Sequence, residues 1–168
     1  MTGNNSFDAI RMFRHACAFV DCAIFCETEK HSILVTKMSH TVAGIVNSAF
    51  ACEVFIKSLL VHGGKTIKDI RGHNLQQLWE WYKDLDSNGA MVVKQRVESI
   101  FQAKNKKTFD DALNNISNAF EEWRYIYEKR HATIHINFLR IFRQVLRSFC
   151  CETLLKRTWD DYIGEQNG

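Results

Sequence analysis

The sequence predicts an all-α fold, an antiparallel bundle of four long helices with one or two short additional ones. Three observations predict it. Proline is absent and only 8 glycines punctuate the 168 residues, too few for the tight turns of a sheet protein this long. Apolar residues recur three and four positions apart through several long stretches, which is the spacing of a helix face. The composition, 46% hydrophobic and 24% charged, supplies a globular core. Residues 1–168 read as one helical domain, without internal repeats or low-complexity segments.

The elements follow in order. Ser6 is placed to cap a helix over about residues 7–26, with Ile10, Phe13, Cys17, Val20 and Ile24 along one stripe. The mixed polar stretch 27–36 reads as a loop. A second helix is expected over about 38–61, carrying Val42, Ile45, Ala49, Phe50 and Val54, and Gly63 and Gly64 end it. Asn74 followed by Gln77 resembles a capping box and opens a short helix reaching about Leu85. Ser87, Asn88 and Gly89 read as a turn before a helix over about 90–103. A lysine-rich loop, 104–107, leads to Thr108, which caps a long helix through Leu113, Ile116, Phe120, Trp123 and Tyr127. The final helix is expected from near Asn137 to before Gly164.

The bulk properties narrow the function classes. A formal net charge of +3 leans only mildly toward polyanions and does not by itself identify a nucleic-acid binder. Residues 1–6 are polar and show no signal-peptide pattern. No stretch is expected to approach a membrane span, the most apolar one, 16–26, being interrupted by Asp21. The six cysteines are expected as reduced thiols acting as small hydrophobes, and the expected location is cytoplasmic.

Chemistry concentrates in residues 123–135, which hold two arginines, two histidines, two tyrosines and a carboxylate. A continuous helix would align Arg124, Glu128, His131 and His135 on one face. Arg130 and His135 would then diverge by about 140°, and converge only if the helix breaks between them. The β-branched Thr133, Ile134 and Ile136 and the capping candidate Asn137 favour such a break. An imidazole that moves protons near neutral pH and a guanidinium that grips a phosphate suit RNA cleavage without a metal, the ribose 2′-hydroxyl being the nucleophile. Against this stands an ordinary Arg124–Glu128 ion pair with histidines that merely face a helix dipole.

The remaining polar features point to structure. Cys22 with Cys26, and His131 with His135, are i,i+4 pairs without a convincing second pair, so neither metal nor cofactor is expected. Glu53 and Lys57 are expected as a stabilising helix pair and His73 as an organiser of its turn. Lys104, Lys106 and Lys107 read as a solvated loop that RNA phosphates could also use. Trp79, Trp81 and Tyr82 read as core or interface.

Two stretches of the chain resemble the HEPN domains. Within 49–78, Ala51-Cys52-Glu53 and Lys57-Ser58-Leu59-Leu60 precede Gly72-His73-Asn74-Leu75-Gln76-Gln77-Leu78. This is similar to the family's Glu-x-x-x-Lys helix followed by Gly-His-[Asp/Asn]-Leu-x-x-Leu. Phe120 to Glu128 resembles the Phe-x-x-x-Arg-Tyr-x-x-Glu run of one branch. The resemblance implies a small helical bundle that dimerises, with many members being metal-independent ribonucleases of toxin–antitoxin and phage-defence systems. It also implies roles for residues. Arg130-His131-Ala132-Thr133-Ile134-His135 matches the family's nuclease signature as Arg-x4-His, and Arg124 to His131 fits as Arg-x6-His with Tyr125 in the polar place. The arginine would hold the phosphate and the histidine would handle the proton, both copies meeting across a dimer interface. Two functions are therefore expected in competition. One is an endoribonuclease acting on RNA as a homodimer. The other is a non-catalytic helical module binding a partner protein or nucleotide, for example a cognate antitoxin or a nucleotidyltransferase.

Overall fold

Every regular element among the described residues is helical. The computed structural model describes residues 5–28, 37–101, 108–129 and 132–166. The elements are α1 (Asn5–Thr28), α2 (Lys37–His62), α3 (Leu75–Leu85), α4 (Ser87–Ile100), α5 (Phe109–Ile116), α6 (Ala119–Arg124), a 3-10 turn (Ile126–Glu128), α7 (Ile136–Leu155) and α8 (Trp159–Gln166).

The first two helices run antiparallel along their length. Phe13 meets Phe55 at 5.9 Å between ring centroids and Phe19 meets Phe50 at 4.6 Å, while Gly44 packs beside Ala23 and Cys26. The rising numbers on α1 pair with falling numbers on α2. Ala9, Ala16 and Ala23 are fully buried, and their small side chains let the backbones approach. The end of α2 is closed as its glycines predict. Lys65 N–H donates to Leu60 O and Gly64 N–H to Val61 O, both at 3.0 Å, with Gly64 at φ +98°. That is a Schellman cap, whose left-handed residue favours glycine.

Helix α7 runs parallel to α2, since Ser48 pairs with Arg143 and Ser58 with Cys150. Its Phe138, Leu139, Phe142, Leu146 and Cys150 are fully buried. Phe109 of α5 meets both Phe138 and Phe142, at 5.4 and 5.8 Å, and Trp79 of α3 meets Phe109 and Phe142 at 5.4 and 5.7 Å. Such contacts, edge to face in all but the tilted Trp79–Phe109 pair, add to the burial of the rings themselves. Two arginines of α7, Arg143 and Arg147, are buried in this packing. Arg143, 2% exposed, donates to Ser48 Oγ at 2.6 Å and to both oxygens of Glu27 at 3.2 Å. A single guanidinium thus ties α1, α2 and α7.

Several boundaries depart from expectation. α1 begins at Asn5, so Ser6 lies inside the first turn rather than before it. α4 begins at Ser87, because the Asp86 carboxylate accepts from Gly89 N–H at 2.9 Å and caps the helix where a turn is expected. The long helix expected after Thr108 is three short pieces. Its start is as expected, with a full capping box between Thr108 and Asp111, but α5 stops at Ile116 and α6 at Arg124. The final helix is likewise divided. Lys156 adopts a left-handed φ of +57°, and α8 restarts behind Thr158, whose hydroxyl accepts from Asp161 N–H, and continues through Gly164.

The expectation that no stretch resembles a membrane span is also corrected. His40–His62 is long enough to cross a bilayer and reaches a mean hydropathy of 1.6. The reason lies in burial. 72% of that window is covered by the other helices, so a central core helix carries apolar residues all round.

Candidate functional site

The site builds from the junction of α5 and α6. Leu75 N–H at the start of α3 donates to Ser117 O at 2.9 Å, and Asn74 Nδ2 donates to Asn118 Oδ1 at 2.8 Å. The Asn74 Oδ1 at the same time accepts from Gln77 N–H at 2.8 Å, as an N-cap should. These bonds dock the start of α3, and with it His73, against the start of α6.

Helix α6 then presents an aromatic and cationic surface. The Phe120 ring stacks on Phe50 at 4.9 Å. One turn on, the Arg124 guanidinium lies 4.9 Å from the Phe120 ring centroid and 4.6 Å from that of Tyr125, geometry suited to cation–π attraction. The helix ends there. Tyr125 departs to φ −112°, ψ 29°, a single 3-10 turn follows, and Lys129 is extended at φ −108°, ψ 142°. Tyr125 and Tyr127 meet edge to face at 6.3 Å, and Tyr127 is 77% exposed. Residual desolvation and the neighbouring Glu128 carboxylate hold its phenol above the ordinary value.

This geometry decides where the sequence-predicted residues fall. Arg124 ends α6, engaged with two rings. The single helical face through Arg124, Glu128, His131 and His135 does not form, because the helix ends at Arg124. His135 stands at the N-cap of α7. Its backbone N–H donates to Asn115 Oδ1 at 2.7 Å, which ties the start of α7 to α5. The break expected before α7 is present, with His135 in the capping position expected for Asn137. Arg130 and His131 lie outside the described residues, as do Lys104, Lys106 and Lys107.

A second constellation links two motifs through space. Glu53 is 2% exposed, and its carboxylate accepts from Lys57 Nζ at 2.7 Å. The same carboxylate lies 2.9 and 3.1 Å from His73 Nδ1. Lys57 Nζ also donates to Gly72 O at 2.7 Å, and Gly72 turns the chain at φ +104°, a region open to glycine. The expected helix pair is thus real, and His73 completes it from 20 residues away. The His73 ring packs 5.2 Å from Phe120, the ring that also carries Arg124. Both motifs are visible in the sequence, but their meeting depends on how α2, α3 and α6 pack.

Elsewhere the chemistry is quieter. Among the described residues no three His, Cys, Asp or Glu side chains gather as a metal would need. Burial pushes the Cys17 and Cys52 thiols up to about 12. Trp79 and Tyr82 are buried in the core and Trp81 is half-buried. A cavity of about 360 Å³ lies between the end of α2 and α3, lined by Leu60, Lys65, Asp69, Ile70, Trp81 and Leu85, none of which belongs to the constellations above. Comparison with protein-family models, with curated proteins and with solved structures gave no match for this chain.

Proposed function

We propose that the chain is a HEPN-like bundle module acting as a metal-independent endoribonuclease on RNA, as a homodimer in the cytoplasm of a cell that uses it in a toxin–antitoxin or phage-defence setting. Arg130 with His135 forms the leading catalytic pair in this reading, and Arg124 with His131 the second. The observation that carries it is that α6 ends at Arg124 and α7 begins only at Ile136, as separate helices. An unbroken helix would hold Arg130 and His135 about 140° apart; with α6 and α7 separate, that constraint does not hold. The guanidinium would grip the scissile phosphate and the imidazole would exchange the proton. The products would be a 2′,3′-cyclic phosphate and a 5′-hydroxyl.

The test is cleavage of total RNA in EDTA by the wild type and by Arg130→Ala, His135→Ala, Arg124→Ala and His131→Ala. Loss of cleavage in either pair, with a dimeric mass in light scattering, supports the reading. Cleavage that survives all four substitutions removes the site assignment.

A second reading, a binding module without catalysis, draws on the exposure of Tyr127 and of Phe25, 77% and 58%. Exposed apolar side chains mark a partner surface where they adjoin one another, as Tyr127 does with the 42% exposed Tyr125. A wild type that cleaves no RNA yet captures a cognate antitoxin or nucleotidyltransferase would favour it.

A further inference from the structure

We infer that Glu53, His73 and Arg124 form a phosphodiester-handling site for single-stranded RNA, with His73 as its proton-transferring residue. The inference rests on the ribonuclease reading and names a histidine outside the Arg130–His135 segment.

The first support is the carboxylate–imidazole geometry. Glu53 faces His73 Nδ1 at 2.9 Å from inside the core. Lys57 donates to the same carboxylate, whose oxygens are the acceptors that face the imidazole. In the tautomer in which Nδ1 donates to that carboxylate, the neutral ring presents its lone pair at Nε2. This is how a buried carboxylate orients a catalytic imidazole. The histidine side chain is 41% exposed, and no hydrogen bond to Nε2 occurs among the described residues.

A purely structural part for His73 leaves this arrangement redundant. Lys57 alone already clamps Gly72 O and neutralises Glu53. The imidazole adds a partly exposed, oriented base to a loop that is already fixed.

The second support is the cation beside it. His73 and Arg124 both pack on the Phe120 ring, at 5.2 and 4.9 Å, and the half-buried Phe50 stacks on that ring at 4.9 Å. An imidazole and a guanidinium thus share one aromatic ring. Tyr125 and Tyr127 continue the surface beyond Arg124 and offer faces on which bases can stack.

The reaction balances without any added reagent. His73 Nε2 takes the proton of a ribose 2′-hydroxyl as the O2′–P bond forms. The P–O5′ bond breaks, the leaving O5′ takes a proton from solvent, and His73 returns its proton to solvent. Arg124 holds the non-bridging oxygens, whose charge rises in the transition state. DNA, lacking the 2′-hydroxyl, is bound but not cut.

The experiment uses the full chain with a labelled single-stranded RNA in EDTA, and the same oligonucleotide 2′-O-methylated as a binding probe. His73→Asn keeps a donor toward Glu53 and removes the base. Cleavage is expected to fall at least about 100-fold, the usual scale of general-base loss, with melting temperature and 2′-O-methyl RNA affinity retained. Arg124→Ala is expected to weaken both cleavage and binding. Should His73→Asn fail to fold, acylation of the wild-type histidines by diethyl pyrocarbonate, mapped by mass spectrometry, replaces it. His73 should then be shielded by the 2′-O-methyl RNA, and its modification should track lost cleavage. Wild-type cleavage rates in His73→Asn, or no shielding of His73, overturn the inference and leave the ribonuclease reading standing. A wild type that cleaves no RNA overturns both.

Discussion

The Glu53 carboxylate, buried on α2, holds His73 Nδ1 at 2.9 Å and Lys57 Nζ at 2.7 Å. Removing it leaves a lysine amine, itself only 15% exposed, without its counter-charge. Breaking a buried pair from one side costs about 3 kcal/mol or more. Glu53→Ala is expected to lose about that much in urea unfolding, and Glu53→Gln less, since the amide oxygen still accepts. A loss below about 0.5 kcal/mol, the range of an ordinary surface change, would show that the carboxylate is not the anchor of the Gly72–His73 loop.

Arg143 offers a parallel case with a different remedy. Its guanidinium satisfies Glu27 and Ser48 together, while Arg140 Nε also lies 3.1 Å from Glu27. Arg143→Met should destabilise by about 3 kcal/mol because Glu27 loses its buried partner. Adding Glu27→Gln should recover part of that loss, since the carboxylate left with Arg140 as its remaining partner is gone. A double-mutant cycle by chemical denaturation reads the coupling directly. Additive effects would mean that the two groups do not act as a pair.

These two networks also mark how far local sequence reaches. Thr108 and Asn74 carry their cap chemistry within three residues, and both helices start where the sequence predicts. Gly63 and Gly64 end α2 for the same local reason. The break at Ser117 has no such signal, because neither glycine nor proline interrupts the apolar pattern from Leu113 to Trp123. It depends on Leu75 and Asn74, more than 40 positions earlier, bonding to Ser117 and Asn118. Tertiary contacts override helix propensity there. Lys156 in a left-handed conformation is equally unmarked. Of the chemical groups, Arg124 and His135 are legible as residue types in a dense segment. The Glu53–His73 contact is not, since only packing joins two motifs 20 residues apart.

Gly89 tests the shared cap of α3 and α4. A Cβ at this position would lie 2.3 Å from both Asp86 Oδ2 and the Tyr82 hydroxyl, so the Asp86 carboxylate would have to leave its bond to Gly89 N–H. Gly89→Ala is expected to cost about 2 kcal/mol, combining overpacking with a lost cap. Gly164→Ala, where nothing lies within 4 Å, is the control and should be neutral or slightly stabilising. Thermal melts of the two variants check the contrast.

Alkaline pH should weaken the fold through its thiols. Desolvation raises Cys17 and Cys52 from 9.0 to about 12. A group whose folded value is raised contributes stability that is complete below its unfolded value and lost as pH climbs toward the folded one. Stability should therefore decline between pH 9 and 12, by about 1 kcal/mol per pH unit for each thiol. Cys52→Ala should lower stability at pH 7 through its cavity, yet flatten the alkaline slope. An unchanged slope would refute the assignment to Cys52.

Tyr127 separates RNA binding from folding. It is 77% exposed and contacts Tyr125 edge to face, so its ring contributes little to the core. If the surface beyond Arg124 receives unpaired bases, Tyr127→Ala should weaken binding of a 2′-O-methyl RNA roughly tenfold, on the scale of one lost base stack. The melting temperature should hardly move, as expected for an exposed side chain. Tyr127→Phe, which keeps the ring and loses only the hydroxyl, should bind like the wild type. Equal weakening in both variants would point to the hydroxyl rather than the ring. Unchanged affinity in Tyr127→Ala would remove this aromatic from the RNA path and confine binding to Arg124 and its neighbours on Phe120.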